Sequence, residues 1–241
     1  MFTIYIRKDL GMTRGKMLSQ VSHAAMKYTL SLFEQNGGVL TTSLSTIEKL
    51  NHVLTHIDKV LNIQFVKSEE ELINVSNASS NHSVSILDNG LTQFNGVKTL
   101  TCALVNTDLS LPTIRTPEYG KKESDHKQVL VFYSNERLNK TIQIRSAIKM
   151  AIATILAHLS HCSIELDSEK NRDLQIWLDD CFKKVTLKTK SIDVLMNLKE
   201  QSESRGLLCV EDVDAYSTIS LAIGPGSNRM YHELTDKLTL Y

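Results

Sequence analysis

Hydrophobic and polar positions in residues 1–105 follow a pattern typical of a small α/β unit. Apolar side chains recur every three or four positions from residue 16 to about residue 35, which predicts an amphipathic helix ended by Gly37 and Gly38. Ser68 and Glu71 form a capping box that opens a second helix. Short β-rich runs predict four strands, at residues 2–6, 63–66, 84–87 and 98–105. The resulting order, strand, helix, strand, helix, strand, strand, predicts helices packed on a mixed sheet.

The same order of elements returns in residues 127–241. Strands are predicted at residues 128–133, 184–188, 206–210 and 217–223, and helices at residues 141–159 and 191–200. Three landmarks also repeat: Lys67-Ser68 with Leu72 as Lys190-Ser191 with Leu195, Leu87-Asp88 as Glu211-Asp212, and Thr99 with Thr101 as Thr218 with Ser220. The offset of 119–124 residues is nearly constant, which indicates an internal duplication. The alternative is a chance similarity of two α/β units.

Residues 106–126 differ from both of these regions. They contain Pro112 and Pro117, two of the three prolines of the chain, followed by a polar run at residues 120–126. This composition predicts a linker. The expected organisation is therefore two α/β domains, at residues 1–105 and 127–241, joined by a linker at residues 106–126.

The charge balance bears on nucleic-acid binding. Lys and Arg together equal Asp and Glu together, at 27 each, so the chain has no overall basic field to attract RNA. Residues 1–27 are locally basic, with Arg7, Lys8, Arg14, Lys16 and Lys27 against Asp9 alone. This segment is either a local RNA-binding patch or a solvated strand end and helix face.

Cysteine spacing and hydropathy argue against a zinc-binding, secreted or membrane-spanning protein. The four cysteines show no zinc spacing, so we expect reduced thiols and predict no metal site or other cofactor. No secretion signal is recognised, and no apolar run approaches the roughly 18 residues needed to cross a bilayer. These features predict a cytoplasmic protein without a membrane partner.

Candidate chemistry is concentrated at the start of the first helix. Lys16 and Gln20 lie one helical turn apart and project from the same face. A lysine in the first turn opposes the helix dipole, and such a local conflict is expected at functional sites. Asp88 ends a predicted strand beside Gly90, where it either faces this helix terminus or forms an Asx-turn.

The motifs in this region resemble those of a known family. Asp-Leu-Gly-Met, Gly-Lys and Gln-x-Ser-His-Ala-Ala, all within residues 9–25, resemble the signature of the type II peptidyl-tRNA hydrolases of archaea and eukaryotes. The similarity continues through residues 68–72, Asp88-x-Gly90-x-Thr92-Gln93 and residues 99–102. The resemblance implies two tandem domains, each with a four-stranded mixed sheet and flanking helices, the second being a degenerate copy.

The resemblance also implies an activity and its residues. The family hydrolyses the ester that joins a peptide to the 3′-terminal ribose of tRNA, without a metal. Carried over by motif, the catalytic residues are Lys16, Gln20, Asp88, Thr92 and Thr99. The candidate tRNA-binding residues are Arg7, Lys8, Arg14, His23 and Lys27. Asp88 is expected to hold Lys16 and orient water, while Lys16 and Gln20 stabilise negative charge on the substrate carbonyl.

The second half departs from the family at the positions that carry chemistry. Ile142, Ser146 and Lys149 occupy the lysine, glutamine and histidine positions, so this copy is predicted to be non-catalytic although Asp212 remains. Conversely, only the second half has the family's glycine-proline ending, at residues 224–226, and only the first has extra sequence at residues 94–98. The family is commonly dimeric, so a tandem chain is expected to be a monomer that acts as an intrachain pseudo-dimer.

Two other functions remain open at this point. The first is a non-catalytic module that kept the fold and binds tRNA or a protein. The second is an accessory enzyme that acts on another acylated RNA or a small amide. A half-degenerate tandem is unexpected in a housekeeping enzyme, which favours a viral or otherwise accessory setting.

Overall fold

The computed structural model describes residues 1–78, 83–107, 125–134, 138–180, 182–214 and 217–241. Most of the predicted linker, residues 108–124, lies outside the described residues, as do Cys181 and residues 215–216. Among the helices that are described, none is long and apolar enough to cross a membrane.

The first half forms one mixed sheet covered by helices on both faces. Its elements are β1 (Phe2–Arg7), α1 (Arg14–Leu30), β2 (Glu34–Asn36), β3 (Val39–Thr41), α2 (Leu44–Thr55), α3 (Ile57–Val60), β4 (Leu61–Val66), α4 (Glu69–Ala78), β5 (Ser83–Asp88) and β6 (Thr99–Asn106). The strand order is β4-β1-β6-β5, with β1 and β4 parallel and the other neighbours antiparallel. Ile4 and Ile6 share a core with α1, whereas Tyr5 packs with Leu72 of α4. This alternation places the two helices on opposite faces.

The second half repeats this topology. Its elements are β7 (His126–Tyr133), α5 (Lys140–Ala157), β8 (Ser163–Glu165), α6 (Arg172–Asp179), β9 (Lys184–Thr189), α7 (Ile192–Ser204), β10 (Cys209–Asp214), β11 (Ser217–Ser227) and β12 (Thr239–Leu240). The order β10-β11-β7-β9 matches β5-β6-β1-β4 of the first sheet, again with one parallel pair, β7 and β9. The predicted fold of two α/β units is confirmed. One addition is the two-residue strand β12, which pairs with β9 and makes the second sheet five-stranded.

Helix caps occupy equivalent positions in the two halves. The side chain of Thr13 accepts a hydrogen bond from the backbone of Lys16 at the start of α1, and Asn139 accepts one from Ile142 at the start of α5. The side chain of Ser68 caps α4, as Ser191 caps α7. Each cap satisfies a backbone N–H that the helix leaves unpaired.

The segment after α1 differs from the prediction. The helix was expected to continue to about residue 35, but it ends at Leu30, and β2 and β3 form a hairpin around Gly37-Gly38. Gly37 has φ +60°, the left-handed conformation that such a hairpin turn requires. β3 then pairs with β8 of the second half. Because this pairing joins residues far apart in the chain, the local hydrophobic repeat did not predict it.

The two halves share one hydrophobic core. α1 packs against α5, and the core contains Ala24 and Ala25 of α1 together with Ala147 and Ala151 of α5, all fully or almost fully buried. Small side chains allow two helices to approach closely. Trp177 and Phe182 belong to the same core, and their ring centroids lie 4.2 Å apart.

A half-buried lysine, Lys184, lies beside these rings. The Nζ atom of Lys184 donates a hydrogen bond to Oε1 of Gln128 and lies 4.9 Å from the ring centroid of Trp177. Burial lowers the pKa of Lys184 well below its usual value. His23 of α1 packs on Phe182, 5.9 Å between ring centroids, and its pKa is also lowered, first by burial and then by the charges of Lys184 and Lys16.

The depressed pKa of Lys184 predicts a pH-dependent contribution to stability. Between the lowered pKa of the folded state and the unfolded value of 10.5, the unfolded chain holds a proton on Lys184 that the folded chain has released, so folding gains stability as the pH rises through this range. Relative to Lys184→Met, the wild type should therefore gain up to about 1.4 kcal/mol per pH unit within that range. Urea unfolding of both proteins at several pH values from 7 to 10 measures this difference. The exposed neighbour Lys183, changed to Met, is the control, and a wild-type-to-Lys184→Met difference that stays constant with pH would contradict the prediction.

Candidate active site

The N-terminus of α1 carries the first two candidate residues. The chain leaves β1 at Arg7 and enters α1 at Arg14, so the helix starts at the edge of the sheet where β1 ends. Lys16 and Gln20 lie one turn apart on the same face, as the sequence predicted. The side chain of Lys16 is 13% exposed and Gln20 is 3% exposed, so both residues are largely shielded from solvent.

Asp88 joins these two residues from the end of β5. Its Oδ2 accepts hydrogen bonds from Lys16 Nζ at 2.6 Å and from Gln20 Nε2 at 2.8 Å. Its Oδ1 accepts one from the backbone N–H of Gly90 at 2.8 Å, which is an Asx-turn. Both interpretations of Asp88 made from the sequence therefore apply together. The turn holds the carboxylate in the orientation that meets α1.

Thr92 and Thr99 lie differently with respect to this cluster. Lys16 Nζ donates a hydrogen bond to Thr92 Oγ1 at 3.0 Å, so Thr92 belongs to the cluster. Thr99 pairs with Asp88 across β5 and β6, but its hydroxyl donates to the carbonyl of Val97 at 2.9 Å. The structure thus brings together Lys16, Gln20, Asp88 and Thr92, with Thr99 alongside them.

Thr101 is a site residue that the sequence analysis did not assign. Its buried hydroxyl lies 3.0 Å from Gln20 Oε1 and 3.1 Å from the carbonyl oxygen of Ile86, and can donate to either. A donor at Oε1 fixes the amide so that Nε2 of Gln20 faces Asp88. The two-residue spacing of Thr99 and Thr101 places both on one face of β6. Which of the two threonines contacts Gln20 depends on how β6 packs against α1. The fold places Thr101 there.

The loop after Asp88 holds an unusual backbone conformation next to Lys16. Phe94 and Asn95 have positive φ values of 83° and 53°, which residues other than glycine adopt at a cost. Gly90 passes so close to the backbone of Val97 that a Cβ would lie 2.6 Å from its nitrogen. The ring centroid of Phe94 lies 5.6 Å from Lys16 Nζ. This loop contains the extra sequence at residues 94–98 and forms one wall of the cluster.

The predicted tRNA-binding residues do not form one group. Lys8 and Arg14 are exposed, and Arg14 lies two residues before Lys16 at the start of α1. His23 packs against Phe182 of the second half, as described above. Lys27 lies in the last turn of α1, eleven residues and therefore about 16 Å along the helix from Lys16.

Arg7 has a different environment from Lys8 and Arg14. It is 8% exposed, and its guanidinium donates to Asp9, to Glu69 at 2.6 Å and to the carbonyl oxygen of Leu100 at 3.0 Å. The hydrogen bond to Asp9 is the largest influence that raises the pKa of Arg7, and the same bond lowers the pKa of Asp9. These contacts join β1, α4 and β6, so Arg7 stabilises the fold and does not present its guanidinium to solvent.

The corresponding position in the second half has a different arrangement. Ile142 takes the place of Lys16, and the hydroxyl of Ser146 bonds that of Ser220, as Gln20 contacts Thr101 in the first half. Asp212 is buried and paired with Lys149, which lies seven residues along α5 from Ile142. An aspartate–lysine pair remains, but the first turn of α5 carries no cation directed at it.

The first-half cluster combines the groups that ester hydrolysis requires. A carboxylate with both oxygens held in place can orient a water molecule, and an ammonium group beside an amide can stabilise an oxyanion. Such groups must be held rigidly to be effective, and here each is held by a second contact.

A comparison with protein families agrees with this geometry. The model of the family described as peptidyl-tRNA hydrolase PTH2 matches residues 1–109 and 138–241 of the chain. The first matched segment contains the whole of the first sheet and α1, which bears Lys16. The second contains α5, which bears Ile142, and the strands of the second sheet other than β7. The chain belongs to the peptidyl-tRNA hydrolase PTH2 family.

Proposed function

We propose that the first half of this chain hydrolyses the ester between a peptide, or an N-blocked aminoacyl group, and tRNA. The observation that carries the proposal is the contact of Asp88 Oδ2 with both Lys16 and Gln20 at the start of α1. Membership of the family makes peptidyl-tRNA the expected substrate.

Hydrogen-bond capacity assigns a role to each group in this mechanism. An ammonium group has three N–H donors. Within the described part of the chain, Lys16 directs two of them at Asp88 and Thr92, which leaves the third for the carbonyl oxygen of the substrate. Gln20 directs one amide N–H at Asp88 and can use the other in the same way. Lys16 and Gln20 thus stabilise the oxyanion as it forms.

Asp88 orients the attacking water in this scheme. A carboxylate offers about four lone-pair sites, and the three donors to Asp88 leave room for a water hydrogen. The water oxygen attacks the ester carbonyl carbon, the bond from this carbon to the ribose oxygen breaks, and a proton passes to that oxygen. The products are a free carboxylic acid and tRNA with its ribose hydroxyl restored.

The organisation of the chain is part of the proposal. We assign residues 1–105 to the catalytic domain, residues 106–126 to a linker and residues 127–241 to a degenerate, non-catalytic copy that arose by duplication. The packing of α1 on α5 lets the second copy act as the partner of the first within one chain. Such a pseudo-dimer is expected to be a monomer in solution. Light scattering that showed a stable dimer of full chains would contradict this arrangement.

The proposed activity also suggests a cellular setting. Peptidyl-tRNA is released by ribosomes, so we place the chain in the cytoplasm, where it would return tRNA to translation. An accessory or viral setting is part of this proposal, because the second copy has lost the lysine and the glutamine of the cluster and keeps only the aspartate, Asp212.

The test is the release of N-acetylated amino acid from tRNA by the purified full chain, with tRNA binding measured in parallel. Release at a rate well above the uncatalysed one is the expected result. Binding of tRNA without release would overturn the proposal in favour of a binding module on the same fold. Release only from a small acylated compound, with no effect on N-acetylaminoacyl-tRNA, would favour an accessory enzyme of different specificity.

A further inference from the structure

Three basic side chains from both halves meet beside the site. Arg14 is the first residue of α1, Lys140 is the first residue of α5, and Lys188 lies one residue before the end of β9. All three occupy the same edge of their sheets, because helices α1 and α5 begin where β1 and β7 end, and β9 runs parallel to β7. The packing of α1 on α5 then brings the two edges together.

Gln143 and Tyr241 of the second half connect these cations. Arg14 donates a hydrogen bond to Gln143 Oε1 at 3.2 Å, and Gln143 Nε2 donates to the Tyr241 hydroxyl at 2.7 Å. Lys188 Nζ lies 5.4 Å from the centroid of the Tyr241 ring. The Tyr241 carbonyl passes so close to α1 that a Cβ on Gly15 would lie 2.5 Å from it, which requires glycine there.

Lys140 extends the same surface onto the first half. Its Nζ lies 4.1 Å from the ring centroid of Phe65 in β4, and Phe65 is 39% exposed. Burial, and next the charge of Arg14, lower the pKa of Lys140, as expected for two neighbouring cations. An exposed aromatic ring among cations is typical of surfaces that bind nucleic acid.

Arg14, Lys140 and Lys188 differ in their ion pairing from several other basic residues. Lys16, Arg145, Lys149 and Lys199 each form an ion pair with a carboxylate. For Arg14, Lys140 and Lys188, no ion pair is formed within the described residues. The N-termini of α1 and α5 add partial positive charge at the same place. Repulsion among like charges on one surface destabilises the folded protein, and an external anion that binds there relieves it.

We propose that Arg14, Lys140 and Lys188 form one surface, the cross-half cation surface, which binds the phosphate backbone of the substrate RNA. Arg14 lies two residues before Lys16, so RNA on this surface would have its acylated end at the cluster. The second half, without catalytic residues of its own, would thus supply two of the three phosphate contacts. This inference rests on the proposed function for its choice of RNA as the polyanion.

The test changes only the two lysines of the second half. In Lys140→Gln/Lys188→Gln, the Kd for deacylated tRNA should rise about 5–20-fold at moderate salt, and the slope of log Kd against log salt should fall by about 1.4–1.8. The ratio of kcat/KM for N-acetylaminoacyl-tRNA to that for N-acetylaminoacyl-adenosine should fall by a similar factor, because the adenosine ester has no backbone phosphates.

The matched control is Lys170→Gln/Lys183→Gln, which removes the same charge from the opposite side of the second half. Lys170 influences His158 at the far end of α5, about 27 Å from Lys140, and Lys183 precedes the other end of β9. This control should bind tRNA as the wild type does. Equal weakening in both double variants, or wild-type Kd and salt slope in Lys140→Gln/Lys188→Gln, would overturn the inference. If Lys140→Gln/Lys188→Gln alone bound tRNA more weakly and the wild type hydrolysed nothing, the proposed function would be refuted. The assignment of the cross-half cation surface to RNA binding would still hold.

Discussion

Replacing Lys16 with alanine is expected to lower the turnover of N-acetylaminoacyl-tRNA by about 100–1,000-fold, the usual effect of removing one preorganised oxyanion donor. Lys16 is the only one of the cluster's donors that carries a full charge, and its ammonium group is held by Asp88 at 2.6 Å and by Thr92 at 3.0 Å. Water that fills the space left by the side chain would have to reorganise as charge develops on the substrate. The measurement is single-turnover release of N-acetylated amino acid, with tRNA binding determined separately.

The second half supplies a matched control for this substitution. Lys149 also pairs with a buried aspartate, Asp212, so Lys149→Ala removes a lysine from an aspartate in the same way as Lys16→Ala does. The two variants should lose similar amounts of stability, but only Lys16→Ala should lose hydrolysis. If Lys16→Ala turned over substrate at the wild-type rate, or if Lys149→Ala were equally impaired while folded, the assignment of the site to the first half would be wrong.

Replacing Arg7 with alanine is expected to destabilise the protein by about 2–4 kcal/mol, although Arg7 belongs to the basic segment that suggested RNA binding. The guanidinium is 8% exposed and bridges Asp9, Glu69 and the carbonyl oxygen of Leu100. Its loss leaves Asp9 and this carbonyl without their donor. The expected cost lies below that of a fully buried pair, because the side chain of Glu69 is 53% exposed.

The adjacent residue provides the comparison. Lys8 is exposed, so Lys8→Ala should change the free energy of unfolding by less than about 0.5 kcal/mol. Urea unfolding measures both variants, and tRNA binding is compared under conditions in which both are folded. A stable Arg7→Ala protein with weakened tRNA binding would show instead that the guanidinium contacts RNA.

Local sequence predicted most of the secondary structure, because its signals act over a few residues. The hydrophobic repeat of α1, the capping residues Thr13 and Ser68 and the β-rich runs each depend on neighbours within about one helical turn. The recurrence of these signals after residue 126 also predicted that the second sheet would repeat the first, and the strand orders agree.

The sequence predicted those features of the candidate site that depend on short motifs. Lys16 and Gln20 share a helix face by their spacing alone, and Asp88 ends a strand beside a glycine turn. Asp88 contacts both of them although it lies 72 positions after Lys16 and 68 positions after Gln20 in the chain. No local rule predicts such a contact. The family resemblance placed the three residues in one site, and the expected contact was that of Asp88 with Lys16. The contact of Asp88 with Gln20 comes from the fold.

The sequence by itself determined the two α/β units, the cap and turn residues and the residue types of the cluster, since these follow from local patterns. Only the tertiary structure decided that Thr101 rather than Thr99 contacts Gln20. It likewise decided that Arg7 is buried, with its guanidinium bonded to the carbonyl oxygen of Leu100, and that β3 pairs with β8. It also decided that Arg14 of the first half meets Gln143 of the second. Each of these depends on strand register or helix packing between distant segments, and burial then changes what a charged or polar side chain can do.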